Sequence, residues 1–575
     1  MTDEEVLQSL EEYTKKAIDH QLHTLQSILA HQASVPYLRP YLSGHLPPID
    51  AATFRCLVPL SSYDDYADHI DNMANNPDHP PVISVDPLQC FFYSTGTTTT
   101  KPKLIPCFGS GQTTATSYTL QASNATLRKL FPARPEVNKI LWFVYAIDGT
   151  TTPSGFKITG LSSHVILNKE NQVQHLLASP REIIFGKNIE HQIYCHLLCA
   201  LADPDRIDGI RSNYASDLVR AFGMLESKWE QLCDDLENGF PRPEISDIAM
   251  RESVAQLLGG PRVDLSRRMR MICEKQKDWC GIVSKLWPKV RYVNCITTGS
   301  MKQYYSKLKY YAGEVTVLGG NYGASECIVG LNLDITQPPE KTRYVMLPTA
   351  AYFEFLPFDQ DRSSASAAAA AAGGEETVDF SGVEEGKMYE LAVTTHNGLY
   401  RYRLGDIIRV VGFHNSSPLI EFVMRGPKSV YEVTETDLMS AMEGFQLELR
   451  NHMGLEILEY SSFLETETIP KQLKVFFEIE KLMFLQEEKL HESVEALKMC
   501  YLSLENGLGA AYKGRRYNGD LGPVLVTVVK PGSFDVILQE AIKNGAPASQ
   551  YKPPKIIRSR EIVSFLEASS LVTIS

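Results

Sequence analysis

Four short segments of this chain carry side chains suited to phosphate and nucleotide chemistry. Ser94-Thr95-Gly96-Thr97-Thr98-Thr99-Thr100-Lys101-Pro102-Lys103 sets six hydroxyl side chains in seven positions ahead of two lysines. Hydroxyls and backbone N–H groups donate to phosphate oxygens, Gly96 lets the backbone approach, and lysine neutralises charge. The Walker pattern G-x-x-x-x-G-K-[ST] is absent, and an ordinary polar loop has the same composition. Tyr322-Gly323-Ala324-Ser325-Glu326 offers a ring for a base and a carboxylate for Mg²⁺, although a turn of small residues explains it equally well. In Tyr400-Arg401-Tyr402-Arg403-Leu404-Gly405-Asp406 a strand would put both tyrosines on one face and both arginines on the other, with Asp406 placed to accept from ribose hydroxyls. Taken alone, a strand with a solvated basic face is the simpler reading. Lys552, in Gln550-Tyr551-Lys552-Pro553-Pro554, is on its own a surface lysine. In this order the four describe a site that holds a triphosphate, a metal, a ribose and a carboxylate. That is the equipment for activating a carboxylic acid with ATP, because adenylation removes the repelling charge and supplies a leaving group.

Other chemistries lack their residues. There is no G-x-S-x-G, H-E-x-x-H or G-x-G-x-x-G, and the 14 histidines show no metal spacing. The 11 cysteines include no C-x-x-C pair; Cys195 and Cys199 sit four apart with nothing to complete a ligand set, so buried reduced thiols are expected. A net charge of -13 argues against nucleic acid as a partner. The acidic start Met1-Thr2-Asp3-Glu4-Glu5 is not a secretory leader and no run is long enough to span a bilayer, so a cytoplasmic protein without membrane contact is expected.

At 575 residues the chain is long enough for two or three domains. Apolar periodicity predicts a helix from Asp3 to His31, helix throughout His191 to Leu236, and a further helical block from Glu252 to Leu286. Strands are predicted at Leu88–Tyr93, leading into the Ser/Thr-rich segment, at Lys139–Tyr145, and at Tyr292–Ile296, Thr316–Leu318, Tyr352–Leu356, Tyr389–Thr394 and Ile407–Val411. Helix and strand mix without a regular βαβ rhythm, so the class is α/β in the broad, mixed α+β sense. Ser363 to Glu376 reads as a low-complexity exposed insertion, and Arg425-Gly426-Pro427 as an interdomain hinge. The expected organisation is a large N-terminal domain of sheets and helices, 1–425, and a smaller, mobile C-terminal α/β domain, 426–575.

The four segments, in order and at these separations, resemble the Gretchen Hagen family of plant acyl acid amido synthetases, within the firefly-luciferase-like adenylating enzymes. The resemblance spans nearly the whole chain. It includes Ser179-Pro180-Arg181-Glu182, Leu257-Leu258-Gly259-Gly260-Pro261-Arg262, Thr298-Gly299-Ser300-Met301, Tyr352-Phe353-Glu354-Phe355 and Leu521-Gly522-Pro523. It implies two half-reactions: an acyl carboxylate attacks the α-phosphate of Mg·ATP, then an amino acid amine attacks the acyl-adenylate, giving an amide and AMP. By resemblance Ser94, Thr95, Gly96, Thr97 and Thr98 hold phosphates, with Thr97 also near the acyl group. Tyr322, Gly323, Ala324, Ser325 and Glu326 line the nucleotide, Glu326 binds Mg²⁺ and Asp406 grips the ribose. Lys552 reaches the α-phosphate and carboxylate. Gly532, Ser533, Phe534 and Asp535, with Ser163 and His164, match where family members seat the amino acid, while Gly320, Asn321 and Ile328 belong to the acyl side. The chain departs from the family at Thr98 and Thr100, in a shorter segment after Phe422, and in having no basic residue in Gln112 to Leu127. A roomier, less polar acyl pocket is therefore expected. The resemblance implies small-molecule acid and amino acid substrates, and a monomer is expected. A thiol acceptor, or a hormone-binding protein without turnover, is the alternative.

Overall fold

The computed structural model describes residues 1–45, 47–78, 82–94, 103–109, 111–146, 150–165, 174–358, 376–426, 433–479, 490–544 and 551–575. Most of the insertion and of the segment after Gly426 lies outside these residues.

Four sheets organise the described chain. Leu88–Tyr93 pairs antiparallel with Leu104–Phe108, forming a hairpin, and parallel with Lys157–Thr159. Lys139–Phe143, Ile207–Tyr214, Tyr292–Ile296 and Thr316–Gly319 form an all-parallel sheet. A seven-stranded antiparallel sheet runs, edge to edge, through Tyr352–Phe358, Met388–Thr394, Tyr402–His414, Ser417–Arg425, Tyr344–Met346, Ile328–Leu331 and Tyr322–Gly323. The fourth sheet holds Ile457–Glu465, Gln472–Ile479, Leu525–Val529 and Ser570–Ile574 in that order.

Alternation along the strands sets the cores. In Gln472–Ile479, Val475 and Phe477 join the helices Glu435–Met453 and Leu490–Gly507, while Phe476 turns to the opposite face with Phe534, Ile557 and Leu566. Leu141, Phe143, Ile210, Val293 and Val317 pack one face of the parallel sheet onto helices Ile189–Ala202 and Ala215–Asn238. Trp287 is fully buried there, and its indole N–H donates to the Ala200 carbonyl at 3.0 Å. The mixed α/β class is as expected.

Three local expectations fail for identifiable reasons. The Asp3 to His31 helix is two helices, Asp3–Lys15 and Ala17–Gln32, separated by a non-helical Lys16. The His191 to Leu236 block stops at Ala202, where Asp203 and Pro204 break it, and Ile207–Tyr214 is a strand of the parallel sheet. The Glu252 to Leu286 block divides at Gly259-Gly260-Pro261 into Ile248–Leu258 and Val263–Lys275, with a short helix Ile282–Leu286 beyond. Gly259 ends the first helix at φ +66, a left-handed conformation that glycine adopts without strain.

Candidate active site

The hairpin strand Leu88–Tyr93 delivers Ser94, whose N–H donates to the Lys103 carbonyl at 2.9 Å. This bond closes the neck of the Ser/Thr-rich segment. Thr95, Gly96, Thr97 and Thr98 lie outside the described residues. The Ser325 hydroxyl donates to the Tyr93 carbonyl at 3.0 Å, so the second segment is fastened to the same neck.

Asp406 is aimed by a bulge. Between the pairs Ala392↔Arg403 and Glu390↔Ile407 the Tyr402–His414 strand spends two residues more than its partner, and Gly405 sits at φ +73 within that excess. Asp406 is thereby buried, and Oδ2 accepts from the Tyr322 hydroxyl at 2.6 Å. Arg425, at the end of the neighbouring strand, brings Nε to 3.0 Å from Oδ1 and donates from Nη1 to the Leu404 carbonyl at 2.8 Å. Oδ1 still receives no aligned hydrogen bond among the described residues. A buried carboxylate oxygen with an open lone pair is what a ribose hydroxyl would fill. The Tyr322 ring packs against Tyr344 and Phe422, and Gly323 is exposed at the strand edge.

Glu326 is buried beside this cluster, 3.4 Å from the Tyr402 hydroxyl. Burial raises its pKa, opposed first by the charge of Arg425 and more weakly by Lys103. A single buried carboxylate suits Mg²⁺ where a nucleotide completes the shell, since the ion binds through one or two carboxylates plus phosphate oxygens. The donor set therefore fits the metal.

Lys552 arrives from the C-terminal sheet. Ser462 N–H donates to the Lys555 carbonyl and Ile557 N–H to the Ser462 carbonyl, both at 2.7 Å, stitching the 551–557 segment alongside Ile457–Glu465. The Lys552 ammonium lies 4.8 Å from the centre of the Tyr214 ring. Burial lowers its pKa first, then the positive charge of Arg425, while Asp406 and Glu435 oppose the shift. Lys552 and Asp406 thus share one electrostatic environment although 146 positions separate them in the sequence.

The remaining candidates each make their own local contacts. The Ser163 hydroxyl donates to the Tyr145 carbonyl at 3.3 Å. The His164 ring meets Phe92 edge-on and Cys90 Sγ at 3.8 Å, and burial lowers its pKa. On the C-terminal side the Gly532 and Phe534 N–H groups already donate to Glu478, at 2.7 and 3.3 Å, and the Ser533 hydroxyl to the Lys530 carbonyl at 2.6 Å. Asp535 pairs with Arg220 at 3.0 Å. Asp217, on the same helix as Arg220, has its pKa raised by burial to about 7. Gly320 donates to the Cys295 carbonyl at 2.9 Å, Asn321 bonds Ser123, and Ile328 is half-buried.

Sequence reasoning missed Arg425, Tyr214 and Asp217. An arginine ending a strand carries no signal by itself, and the other two belong to the strand read as helix or lie just beyond it. The solvated basic face expected at Tyr400–Asp406 is reduced to a half-exposed Arg403. Arg401 is buried, at φ +47, and binds Glu354 at 2.8 Å, and Arg403 binds Glu390 at 2.5 Å.

The scaffold is mixed α/β, with an Asp406–Tyr322–Arg425 cluster, a buried Glu326 and, within their electrostatic reach, Lys552 from a separate C-terminal sheet. The GH3 family N-terminal domain matches residues 6–317, its central domain 344–425 and its C-terminal domain 436–561. The chain belongs to the GH3 family. It is 46% identical over 393 residues, 67% of this chain and 78% of the relative, to "Probable indole-3-acetic acid-amido synthetase GH3.6" of Oryza sativa subsp. japonica. It is 32% identical to "Jasmonoyl--L-amino acid synthetase GH3.5" of the same source, across 96% of this chain and 94% of that one. A solved "GH3.15 acyl acid amido synthetase" superposes with a TM-score of 0.85 at 29% identity, over 99% of this chain and 96% of the other.

Proposed function

We propose that this protein is an AMP-forming acid–amino acid ligase. It adenylates a carboxylic acid with Mg·ATP and passes the acyl group to an amino acid amine. The observation that carries the reading is the convergence of Asp406, Tyr322, Arg425 and Glu326 with Lys552, on a chain of the GH3 family. In this reading Asp406 Oδ1 accepts from a ribose hydroxyl, and the hydroxyls of Ser94 to Thr98 donate to phosphate oxygens. Glu326 supplies the carboxylate for Mg²⁺, which neutralises phosphate charge when bound. Lys552 stabilises the negative charge that grows on the α-phosphate during carboxylate attack. Ser163, His164 and the Gly532–Asp535 segment are the amino acid side of the proposal, and Gly320, Asn321 and Ile328 the acyl side. The division at residues 425 and 426, a monomeric state and a cytoplasmic location are parts of the same reading. No helix among the described residues is long and apolar enough to cross a membrane.

Indole-3-acetate, jasmonate and benzoates are the acids to try first, since relatives are named for indole-3-acetic acid, jasmonoyl conjugates and 4-substituted benzoates. Purified protein incubated with Mg·ATP, pooled amino acids and a panel of such acids should yield an amide and AMP by mass spectrometry. AMP without an amide would point to another acceptor, such as a thiol. Neither product, with ligands still raising the melting temperature, would favour a binding protein. Lys552→Ala and Glu326→Ala should each lower pyrophosphate exchange by roughly 100-fold or more, and unchanged rates in both would remove the site assignment.

A further inference from the structure

Two thiols face each other across the hairpin that leads to the Ser/Thr-rich segment. Cys90 on Leu88–Tyr93 and Cys107 on Leu104–Phe108 are register partners. Both are buried free thiols on one face of the hairpin, packed with Phe92 and Ile105. The bond from the Ser94 N–H to the Lys103 carbonyl marks those two residues as a hydrogen-bonded pair. Cys90 and Cys107 lie four residues back along each strand, an even step, so theirs is the same kind of pair. Its Cα atoms stand about 5.5 Å apart, inside the range that a disulfide spans.

The surroundings give the two sulfurs different roles. The Cys90 thiol donates to Cys107 and lowers its pKa, against the effect of burial. Burial instead raises the thiols of Cys195, Cys199 and Cys295. Cys90 is itself raised, first by its bond to Cys107 and then by burial, so it keeps its proton. Its Sγ lies 3.8 Å from His164 Nδ1. The His164 ring also meets Phe92 edge-on, so it covers this face, and burial lowers its pKa and keeps the imidazole neutral. Cys107 is thus placed as the nucleophile, Cys90 as the resolving thiol and His164 as the base beside it.

We propose that Cys90 and Cys107 are a reversible disulfide site, closed by a hydroperoxide and opened by a dithiol, and that closing it slows adenylation. The Cys107 thiolate attacks the peroxide; its sulfur takes one oxygen, the O–O bond breaks and hydroxide leaves. The Cys90 sulfur then attacks the Cys107 sulfenic acid, its proton passes to His164, and the S–O bond breaks as a second hydroxide leaves. The thiol protons convert both hydroxides to water, so two thiols are oxidised as one peroxide is reduced. A disulfide holds its Cβ atoms about 3.8 Å apart, roughly 1 Å closer than an open cross-strand pair. Drawing the strands together twists the hairpin and shifts its neck at Ser94 and Lys103, to which Ser325 is fastened through Tyr93. The effect on adenylation rests on the ligase reading; the disulfide does not.

Hydrogen peroxide titrated into the folded, reduced protein tests the site, followed by tandem mass spectrometry of the non-reduced digest. The expected product is a Cys90–Cys107 cross-link that dithiothreitol removes. In Cys90→Ser, which keeps a donor to Cys107, oxidation should stop at a sulfenic acid on Cys107 that dimedone traps. In Cys107→Ala, Cys90 should stay unlabelled. Pyrophosphate exchange should fall by about 10–100-fold on oxidation, the cost of a misplacement near 1 Å. It should recover with dithiothreitol and resist peroxide in Cys107→Ala. A melt of each protein before and after peroxide separates these effects from unfolding. No cross-link in the folded protein, one that forms only in urea, or dimedone on Cys90 instead of Cys107 would overturn the site. A cross-link that leaves exchange unchanged would overturn its effect on adenylation. If the reduced protein exchanges pyrophosphate with no acid, the ligase reading fails, and cross-link and dimedone labelling still decide the disulfide.

Discussion

Lys552 is where pH should show the site at work. Its half-buried side chain is desolvated, with Arg425 nearby, so its folded pKa lies below the ordinary 10.5. Between the folded value and 10.5 the unfolded chain binds the proton and the folded one does not. This group therefore adds stability as pH rises through that window and opposes folding below it. Activity runs the other way, because only the ammonium can stabilise phosphate charge. Adenylation should decline on the alkaline side below the range of an ordinary lysine, and Lys552→Arg should remove that limb. A pyrophosphate-exchange profile checks this. Glu326 gives the acidic counterpart: its folded pKa is raised, so its negative charge is a cost to the fold, and stability from this group grows as pH falls. Glu326→Ala should thus abolish adenylation without lowering the melting temperature. At this scale single residues were not legible: Asp406 after Gly405 and Lys552 between Tyr551 and Pro553 read alone as a turn and a surface lysine, and only the order of the four segments raised them as candidates. The sequence was silent on Arg425, whose significance lies in partners brought from elsewhere.

Elements were legible where apolar runs are short and bounded. Leu88–Tyr93 and Tyr292–Ile296 fall where the pattern puts them. Ile207–Tyr214 escaped because its buried and half-buried residues alternate imperfectly and helices flank it closely on both sides. The Ser533–Lys543 helix shows a different limit: its sequence cannot reveal that a carboxylate from another strand occupies its start. Glu478 accepts from the Gly532 and Phe534 N–H groups, satisfying two of the donors that a helix N-terminus leaves unpaired. An amino acid carboxylate seated by this segment would have to compete with Glu478 or bind elsewhere along it. Glu478→Ala should cost about 1–2 kcal/mol in urea unfolding, as for loss of a helix cap. Glu478→Gln, which keeps an acceptor, should cost less. Equal losses would show that side-chain packing, not the cap, is what the residue contributes.

At the scale of the molecule, one buried glutamate joins the two proposed domains. Glu459, on the first strand of the C-terminal sheet, accepts from Tyr304 Oη and from Gln303 Nε2 at 3.2 Å, both on the 3₁₀ helix Gly299–Tyr304 of the N-terminal part. It also accepts from the Tyr460 N–H at 2.9 Å and from Lys555 Nζ. Lys302 and Glu443 pair at 3.1 Å across the same boundary, as do Arg220 and Asp535 at 3.0 Å. Lys555 is three residues from Lys552, so the carboxylate that anchors the proposed catalytic segment within its own domain also docks that domain. The two roles are separable by mutation. Removing Glu459 leaves the Lys555 charge buried without its partner, and Glu459→Ala should destabilise the C-terminal part by about 3–5 kcal/mol. Tyr304→Phe removes one interdomain bond and leaves the Glu459–Lys555 pair intact, so the fold should persist. If this docked arrangement is the one in which Lys552 serves adenylation, the loss of that bond should fall on the first half-reaction alone. Pyrophosphate exchange should drop by about tenfold, the equivalent of a net hydrogen bond near 1.4 kcal/mol. Aminolysis of preformed acyl-adenylate, which in the proposed two-step reaction follows rotation of the C-terminal domain, should keep its rate or gain. Equal slowing of both steps would mean that Tyr304 supports the fold and does not select between conformations. An unchanged exchange rate would detach the Glu459 contact from the adenylating arrangement.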